Sequence, residues 1–342
     1  MNPQQYKKFA YDISEWYRMN QRDLPFRKTK DPYCIFLSEM MLQQTQVKTM
    51  LPYYDAFIKK FPTINDLANA HQDEVLTLWQ GLGYYRRARF VHEAAQQVQS
   101  LHGGVFPSNL KAIKALKGIG DYTAGAIHSI AFNQPTPAID GNVMRVMSRV
   151  LGDGRPINEP KTVASIKKIV SNMIVHEKPS DFTQALMELG ALVCKNPPRC
   201  EQCPIRNYCF AYKHNKQSEL PVKATAIKKV HQSFITFLIT YQDQVFLIRN
   251  PKDGLLANML ACPQYEGNHL DNALAKLKDA YRIDIASVTF LKKLKHVFTH
   301  RVWHMHVYQI EVTSPAEPFY PINDLPHAIS RAHQKVLQSL KK

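Results

Sequence analysis

Apolar residues recur at intervals of three and four along roughly the first 212 residues of the chain. The stretch from residue 37 to residue 61 shows the pattern, with apolar side chains at Leu37, Met40, Met41, Val47, Leu51, Tyr54, Phe57, Ile58 and Phe61. This spacing gathers apolar side chains on one face of an α-helix. Prolines and glycines interrupt the pattern often enough to leave helices of ordinary length. The sequence therefore predicts a mainly α-helical domain over residues 1–212.

The pattern changes beyond residue 231. FITFLITY (residues 234–241) and QVFLIRN (residues 244–250) flank a short polar turn, and this arrangement predicts a β-hairpin. Residues 295–312, KHVFTHRVWHMHVYQIEV, alternate in the manner of one half-buried strand. We expect a smaller α+β domain over residues 232–342.

The segment between the two patterns, residues 213–231, reads KHNKQSELPVKATAIKKVH. It is charged, poor in large apolar groups and interrupted by Pro221. That composition suits an extended connector between two domains. We therefore place the domain boundary within residues 213–231.

The composition fits two globular domains with a basic surface. The chain has 342 residues, of which 45% are hydrophobic, so it can bury two cores. Its formal net charge is +16, of which residues 230–342 carry +4 and residues 1–229 carry +12. The helical part is thus the better candidate for binding a polyanion. Because the sequence shows no signal-peptide pattern and no stretch that could span a bilayer, we expect a cytoplasmic protein without membrane contact.

Four of the six cysteines fall within sixteen residues, at Cys194, Cys200, Cys203 and Cys209. Clustered cysteines in a cytoplasmic protein indicate metal binding rather than disulfides. Four thiolates at these spacings suit either a zinc ion or a [4Fe-4S] cluster, and the spacing leaves both open. In either case we expect a structural role, stapling a basic loop.

The stretch LKGIGDYTAGAI, residues 116–127, has the pattern of a helix-hairpin-helix. Gly118 and Gly120 permit a tight turn, and the backbone N–H groups that open the second helix can bind a phosphate. Sequence-independent DNA binding follows from that geometry. By pattern alone, two packed helices joined by a glycine-rich turn are an equally good interpretation. Asp121, at the turn, slightly opposes a nearby phosphate.

The local sequence around two carboxylates, Glu39 and Asp140, does not by itself indicate a function. Glu39, in FLSEMMLQQTQV, lies on a helix that reads as amphipathic, where a glutamate is usually solvated. Asp140, in AIDGNVMRVMSRVL, precedes an apolar-periodic helix, where an aspartate is usually an N-cap. Neither pattern alone indicates catalysis.

The segments together resemble one superfamily. In order they are FLSEMMLQQTQV, GLGYYRRAR, LKGIGDYTAGAI, AIDGNVMRV, FTQALMELGALVC and the cysteine run, and this order resembles the helix-hairpin-helix, iron-sulfur DNA glycosylases. LSEMMLQQTQV and YTAGAI resemble its MutY branch of adenine DNA glycosylases across residues 1–212. The resemblance implies a six-helix barrel with a cluster module ending in residues 194–209. LANMLACPQYEG and HVFTHRVWHMHVY resemble the MutT-like (Nudix) domain of that branch, without the acidic box of nucleotide hydrolases.

The resemblance implies roles for four residues in removing a mispaired adenine. Glu39 would protonate adenine N7 and later help water attack, while Asp140 would stabilise or trap the cationic sugar. Tyr122 and Asn142 would orient the sugar and the carboxylates by hydrogen bonds.

Further positions match family residues that contact DNA or the excised base. They are the duplex wedge Gln44, the intercalating aromatic Tyr84, the hairpin glycines Gly118 and Gly120, and Gln184 and Glu188 near the catalytic and adenine-reading groups. On the sequence alone, packing explains the first two equally well, and polar residues four apart on a helix are commonplace.

In the second domain, Phe298, Thr299 and His300 resemble the loop with which the family contacts 8-oxoguanine, with Thr in place of the usual Ser. The resemblance also implies that the four clustered cysteines hold a [4Fe-4S] cluster rather than zinc. The implied partner is duplex DNA with adenine opposite 8-oxoguanine or guanine, bound by a monomer.

The chain departs from the family pattern at three places. Five residues rather than the common six separate Cys194 from Cys200, Phe26 stands where Trp is usual, and Asp121 replaces a commonly basic residue. Two other functions remain open. A non-catalytic damage-binding protein would not need Glu39, and a glycosylase with lyase activity of the endonuclease III type would carry a lysine in place of Tyr122.

Overall fold

The computed structural model describes residues 2–223, 229–252, 254–298, 300–314, 318–325 and 329–340. The chain forms two compact units, one of Met1–Leu78 and Arg86–Thr225 and the other of Trp79–Tyr85 and Ala226–Lys342. Within the described ranges, no helix is both long and apolar enough to cross a membrane.

Helices make up the first unit, which confirms the mainly α prediction. They are α1 (Pro3–Asn20), α2 (Pro32–Leu42), α3 (Val47–Lys60), α4 (Ile64–Asn69), α5 (Gln72–Leu78), α6 (Arg86–His102), α7 (Leu110–Ala115), α8 (Asp121–Ile130), α9 (Gly141–Leu151), α10 (Pro160–Ile174), α11 (Pro179–Leu192) and α12 (Phe210–Lys213). Short 3₁₀ turns lie at Pro25–Arg27, Cys200–Gln202 and Arg206–Tyr208.

The local sequence sets several helix starts. Asn2 caps α1 by accepting from the backbone N–H of Gln5, and Asp31 caps α2, whose first residue is Pro32. Asn109 caps α7 in the same way. Each cap satisfies backbone donors that the first turn of a helix leaves without partners.

The apolar pattern from residue 37 to residue 61 belongs to two helices rather than to one amphipathic face. The guanidinium of Arg87 stabilises the end of the first of these helices, α2. It donates to the carbonyl oxygens of Met40, Met41 and Gln43 at 3.0, 2.8 and 2.5 Å. A side chain that donates to the last carbonyl groups of a helix supplies the hydrogen bonds that a further helical turn would otherwise provide. The expectation that Glu39 lies on an amphipathic helix is also wrong, since α2 is buried continuously from residue 35 to residue 41.

Helices α2 and α11 lie in the interior of the first unit, and α11 approaches α9 closely at Gly190. A Cβ atom at Gly190 would lie 2.6 Å from the Cβ atom of Asn142. Real side chains do not tolerate such a distance. Glycine is therefore required where these two helices cross.

The predicted connector, residues 213–231, is only partly a connector. Lys213 is the last residue of α12, and Leu220 is buried. Arg149 donates to the carbonyl oxygens of Gln217 and Leu220, both at 2.8 Å, so this stretch packs on the first unit instead of extending freely. At the other end, Val230 already begins a strand. Residues 224–228 lie outside the described part.

The second unit is a mixed β-sheet with two helices, as the α+β prediction expects. Its strands are β1 (Val230–Tyr241), β2 (Gln244–Phe246), β3 (Ile248–Arg249), β4 (Leu260–Ala261), β5 (Gln264–Glu266), β6 (Ile285–Val297), β7 (Arg301–Val312) and β8 (Phe319–Pro321), and its helices are α13 (Leu270–Tyr281) and α14 (Arg331–Leu337). The main sheet has the order β6-β7-β1-β2-β8, and β5 also pairs with β1.

Strands β1 and β7 are parallel, whereas the remaining pairs of this sheet are antiparallel. The predicted hairpin is confirmed, because Thr240 pairs with Val245 across the β1–β2 turn. Side chains of alternating positions form two apolar clusters, one with α13 and one with α14, on the two faces of the sheet.

The prediction of a single strand over residues 295–312 is wrong. The stretch contains the end of β6, a turn and the whole of β7, which pairs with β6. The turn closes where the backbone N–H of Phe298 donates to the carbonyl oxygen of Arg301 at 2.8 Å. No glycine or proline marks this point in the sequence, and its one sign is the run of three polar residues at positions 299–301, which interrupts the alternation.

The crossing of α9 and α11 makes a stability prediction. Replacing Gly190 with Ala should lower the free energy of unfolding by about 1–3 kcal/mol, because the helices must separate to admit a Cβ atom. Urea unfolding followed by circular dichroism measures this change. Gly154→Ala is the matched control, since nothing lies within 4 Å of its added Cβ atom. Equal stability of the two variants would contradict the prediction.

Candidate active site

A cavity of about 890 Å³ opens in the first unit. Five helices and one 3₁₀ turn contribute to its wall. The lining residues are Arg22, Phe26, Arg27, Ile35, Ser38, Glu39, Leu42, Gln43, Gln44, Thr45, Gln46, Val47, Lys48, Tyr122, Ile130, Ile139, Asp140, Gly141, Asn142, Gln184, Met187 and Ala191. All four residues predicted to be catalytic are among them.

Glu39 projects from the buried helix α2 and is only 6% exposed. Burial, with a smaller contribution from the nearby Asp140, raises the pKa of its carboxyl group to about 7 against the opposing effects of a hydrogen bond from Tyr122 and the charge of Arg27. The Tyr122 hydroxyl donates this bond to Oε2. At neutral pH a substantial fraction of Glu39 is therefore protonated and able to donate a proton.

Tyr122 is the second residue of α8, directly after the hairpin turn. Burial and the negative charges of Glu39 and Asp140 raise the pKa of its phenol well above the ordinary value. The hydroxyl thus stays protonated and acts as a hydrogen-bond donor to Glu39.

Asp140 is the N-cap of α9, as the sequence pattern indicates, and it also faces the cavity. Its carboxylate accepts from the backbone N–H of Val143 at 2.7 Å and from the Asn142 amide at 2.8 Å. Burial raises the pKa of Asp140, and these hydrogen bonds oppose that rise. The Asn142 oxygen accepts in turn from Arg145 at 2.8 Å, which fixes the orientation of the amide. The cap and the functional interpretation of Asp140 are therefore compatible.

Glu188 has no exposed surface and forms ion pairs with Arg22 and Arg27, which both line the cavity. Burial alone would raise the pKa of Glu188, but hydrogen bonds and charges from Arg22 and Arg27 outweigh it and keep the pKa low. Gln184 lines the cavity and accepts from Arg27 at 3.0 Å. Both arginines were missed from the sequence, although Arg27 directly follows Phe26.

The positions predicted to contact DNA differ in their surroundings. Gln44 is exposed in the turn between α2 and α3, lines the cavity and has a left-handed φ of 60°. Arg87 steadies this turn by also donating to the Thr45 hydroxyl at 3.2 Å. Tyr84 likewise has a positive φ, of 52°, and its ring is 46% exposed.

The helix-hairpin-helix pattern corresponds to α7, a turn and α8. Gly118 has a φ of 76°, and a Cβ atom there would lie 2.6 Å from Phe90, so both its conformation and its packing require glycine. Gly120 is the N-cap of α8, and open space surrounds the position of its absent Cβ atom. The turn therefore leaves room for a ligand next to the start of α8.

The four clustered cysteines follow α11 and are all half-buried. Burial raises the pKa of the Cys203 thiol to about 12, and the proximity of the other three thiols raises it as well. Arg149 donates to the sulfur of Cys194 at 3.4 Å. Among the residues that the structure describes, no group of three His, Cys, Asp or Glu side chains is arranged around a single metal ion.

In the second unit, the turn between β6 and β7 carries the residues predicted to contact 8-oxoguanine. The Phe298 ring is half-buried, with its centroid 4.6 Å from that of His296 and 4.7 Å from that of Trp303. His300 is exposed, and its carbonyl oxygen accepts from the N–H of Val230 at 3.0 Å. Thr299 lies outside the described residues.

Two family models match the chain. Residues 37–172 match the helix-hairpin-helix superfamily of base excision DNA repair proteins, and residues 235–339 match the NUDIX domain. Among solved structures, a thermostable thymine-DNA glycosylase superposes with a TM-score of 0.56 at 29% identity, covering 62% of this chain and 98% of that one. An endonuclease III–DNA complex, at 22% identity and a TM-score of 0.53, shares the fold.

The curated relatives extend over both units. An adenine DNA glycosylase of Buchnera aphidicola subsp. Acyrthosiphon pisum is 32% identical over 98% of each chain. The Arabidopsis thaliana adenine DNA glycosylase is 32% identical over 92% of this chain, which spans 59% of that longer protein. The human enzyme of the same name is 40% identical over 62% of this chain and 41% of its own length. With this agreement over nearly its whole length, the chain belongs to the adenine DNA glycosylase family.

Proposed function

We propose that this chain removes adenine from duplex DNA by hydrolysing its N-glycosidic bond where the base lies opposite 8-oxoguanine or guanine. The observation that carries the proposal is a pair of carboxyl groups, the buried Glu39 and the half-buried Asp140, that line one cavity together with Tyr122. The chain would act as a monofunctional enzyme of base excision repair and as a monomer.

The cavity has the size and polarity to hold a base that has left the duplex. An enzyme that acts on a base must first take it out of the stack, at a cost of about a few kcal/mol that a mispair lowers. About 890 Å³ is ample for a purine and part of its sugar. Polar groups from Arg27, Gln43 and Gln184 reach the same wall and suit the ring nitrogens of adenine.

Glu39 is suited to the role of general acid. Protonation of adenine N7 makes the base a better leaving group, and an acid works best when its pKa lies close to the working pH. Burial in α2 supplies that pKa, which is about 7. After the bond breaks, the same carboxylate can accept a proton from the attacking water.

Asp140 is suited to stabilising the positive charge that develops on the sugar. The N-terminal position on α9 and the Asn142 amide both favour its anionic form. A carboxylate held in this way can act electrostatically or form a transient bond to the sugar carbon. Tyr122 donates to Glu39 and offers no amine nucleophile, which argues against the lyase alternative.

The non-catalytic alternative explains the site less well. Burying one carboxyl group beside another lowers stability, because each disfavours the charge of the other. A protein that only recognises damage gains nothing from that cost. An active site that needs a proton donor and an anion close together obtains both from this arrangement.

We also assign the DNA contacts that the resemblance implies. The hairpin around Gly118 and Gly120 would bind a phosphate, and Gln44 and Tyr84 would enter the duplex. Phe298, Thr299 and His300 would contact 8-oxoguanine.

We assign the cysteine module to a [4Fe-4S] cluster rather than zinc, because the resemblance to the family implies it. The four thiols are half-buried, and three of them lie close enough to raise the pKa of Cys203. Four cysteine thiolates are the ligand set of such a cluster. Cys194, Cys200, Cys203 and Cys209 would hold the cluster, with Arg149 donating to the first sulfur. The cluster would brace the loop against α9, and the carboxyl groups of the cavity would carry the chemistry.

Replacing Glu39 with Gln should abolish adenine release while preserving DNA binding. Loss of a general acid commonly slows a reaction about 10²–10⁴-fold, and the amide keeps the shape of the side chain. Single-turnover release is measured on duplexes with adenine opposite 8-oxoguanine, guanine or thymine, with borohydride trapping run in parallel.

We expect release by the unmodified protein from the first two duplexes only, and no trapped adduct. Glu15→Gln, a half-exposed partner of Arg18, is the control that should react normally. Binding without release by the unmodified protein would support the damage-binding alternative, and a borohydride-trapped adduct would support the lyase.

The rate of adenine release should fall as the pH rises through about 7, because deprotonation of Glu39 removes the acid. The hydrogen bond from Tyr122 stabilises the Glu39 carboxylate, so Tyr122→Phe should move this decline to higher pH whatever it does to the maximal rate. Single-turnover rates from pH 5 to 9 give the midpoint. A midpoint that stays fixed or falls in the variant would exclude Glu39 as the acid.

Replacing Cys203 with Ser should remove the iron and the brown absorbance of the purified protein, since it deletes one of four cluster ligands. Metal analysis of the variant and the unmodified protein tests this directly. Cys34→Ser is the control, because Cys34 lies on α2 far from the module in sequence and should leave the iron content unchanged. Zinc in place of iron in the unmodified protein would refute the cluster.

A further inference from the structure

Asp121 neutralises lysines at the point where the hairpin would receive DNA. It is the first residue of α8, directly after the turn that ends at Gly120. One carboxylate oxygen lies 2.5 Å from the ammonium of Lys114 on α7, and the other lies 3.0 Å from that of Lys167 on α10. The three side chains are 62%, 44% and 42% exposed, in that order, so they are within reach of a ligand from solution.

The surroundings of Asp121 are otherwise basic. The helix and turn before it, residues 110–120, contain three lysines and no acid, and α10 contains three more lysines and no acid. The carboxylate lowers the local positive charge on the surface that the proposed function assigns to a polyanion. Hydrogen bonds from the two lysines hold the pKa of Asp121 below its ordinary value, so the carboxylate is charged at any pH where the enzyme would work.

Stability gives a weak reason for this arrangement. Ion pairs between half-exposed side chains contribute little to folding, because water and salt screen them. An acid in the first turn of a helix is favourable to the helix, yet it stands where the open N–H groups of α8 would meet a phosphate. The carboxylate and a DNA phosphate therefore compete for the same positive groups.

We propose that Asp121 is a built-in competitor of the DNA backbone, which holds Lys114 and Lys167 in ion pairs and so weakens binding to undamaged duplex. The inference rests on the proposed function, because it takes the hairpin as a DNA contact. Non-specific binding is almost entirely electrostatic, whereas binding at a lesion also gains from the extruded base and its pocket. A negative charge at the hairpin therefore removes a larger share of the binding free energy for undamaged DNA than of the binding free energy for a lesion. It thus favours release from undamaged DNA.

The test is the salt dependence of binding to an undamaged duplex. Replacing Asp121 with Asn raises the net charge of the three side chains from +1 to +2. Each additional neutralised phosphate steepens the slope of log K against log salt by about 0.9. We expect that change, together with up to about eightfold tighter binding of undamaged DNA at about 0.1 M salt. Binding is followed by fluorescence anisotropy over a range of salt concentrations.

Two further variants complete the experiment. Glu74→Gln is the matched control, because Glu74 also lies in the first turn of a helix and pairs with one half-exposed lysine, Lys60. Its slope should equal that of the unmodified protein. Lys167→Gln in the otherwise unmodified chain should make the slope shallower by about 0.9, and this result remains readable if the Asp121 variant does not fold.

An unchanged slope in a folded Asp121→Asn variant would overturn the proposal, and so would an unchanged slope in Lys167→Gln. So would weaker binding by Asp121→Asn with a lowered unfolding temperature, since it would make Asp121 a clamp for the hairpin. Adenine release by the unmodified protein is measured separately. Failure of that reaction would refute the proposed function, while the slopes would still report whether Asp121 opposes DNA.

Discussion

The burial of Glu39 is the constraint on which the site depends. A carboxyl group on a helix that is buried along its length cannot be solvated, and the protein meets this cost by keeping the group close to neutral and by donating the Tyr122 hydroxyl to it. The same two responses make the group an acid at neutral pH. Helix α2 must therefore lie in the interior and end at a fixed position. The Arg87 guanidinium fixes that end by donating to its last carbonyl groups.

Ordinary devices of helix structure place the other functional groups. Asp140 caps α9 and thereby acquires a fixed orientation toward the cavity, and Tyr122 follows the two glycines that allow α8 to restart. Gly190 lets α11 approach Asn142, whose amide holds the Asp140 carboxylate. Because each group serves a structural purpose as well, the site is rigid before any substrate arrives, which is what electrostatic stabilisation of a charged intermediate requires.

The sequence predicted the two architectures and the composition of the cavity, but not the surroundings of each residue. Apolar spacing identifies helices, yet α2 is apolar around its whole circumference, so periodicity gave Glu39 a solvated face that it does not have. Resemblance, rather than pattern, brought Glu39 to attention. The arginines at positions 22, 27 and 87 were missed because their partners lie 42 or more residues away along the chain, which local patterns do not record. The turn at Phe298 was missed because no glycine or proline marks it and only three polar residues, at positions 299–301, interrupt the alternation.

Two glutamates in the first unit show how environment divides roles between identical side chains. Glu39 and Glu188 are both buried, and burial alone would raise the pKa of each. Glu188 has two arginines as partners, so its pKa falls and it remains an anion that fixes those arginines beside the cavity. Burial and the charge of Asp140 raise the pKa of Glu39, and the hydrogen bond from Tyr122 and the charge of Arg27 offset that rise only in part, so Glu39 can retain a proton. When environments push two like groups in opposite directions, the one with the raised pKa is the proton donor, and the other serves to position cations.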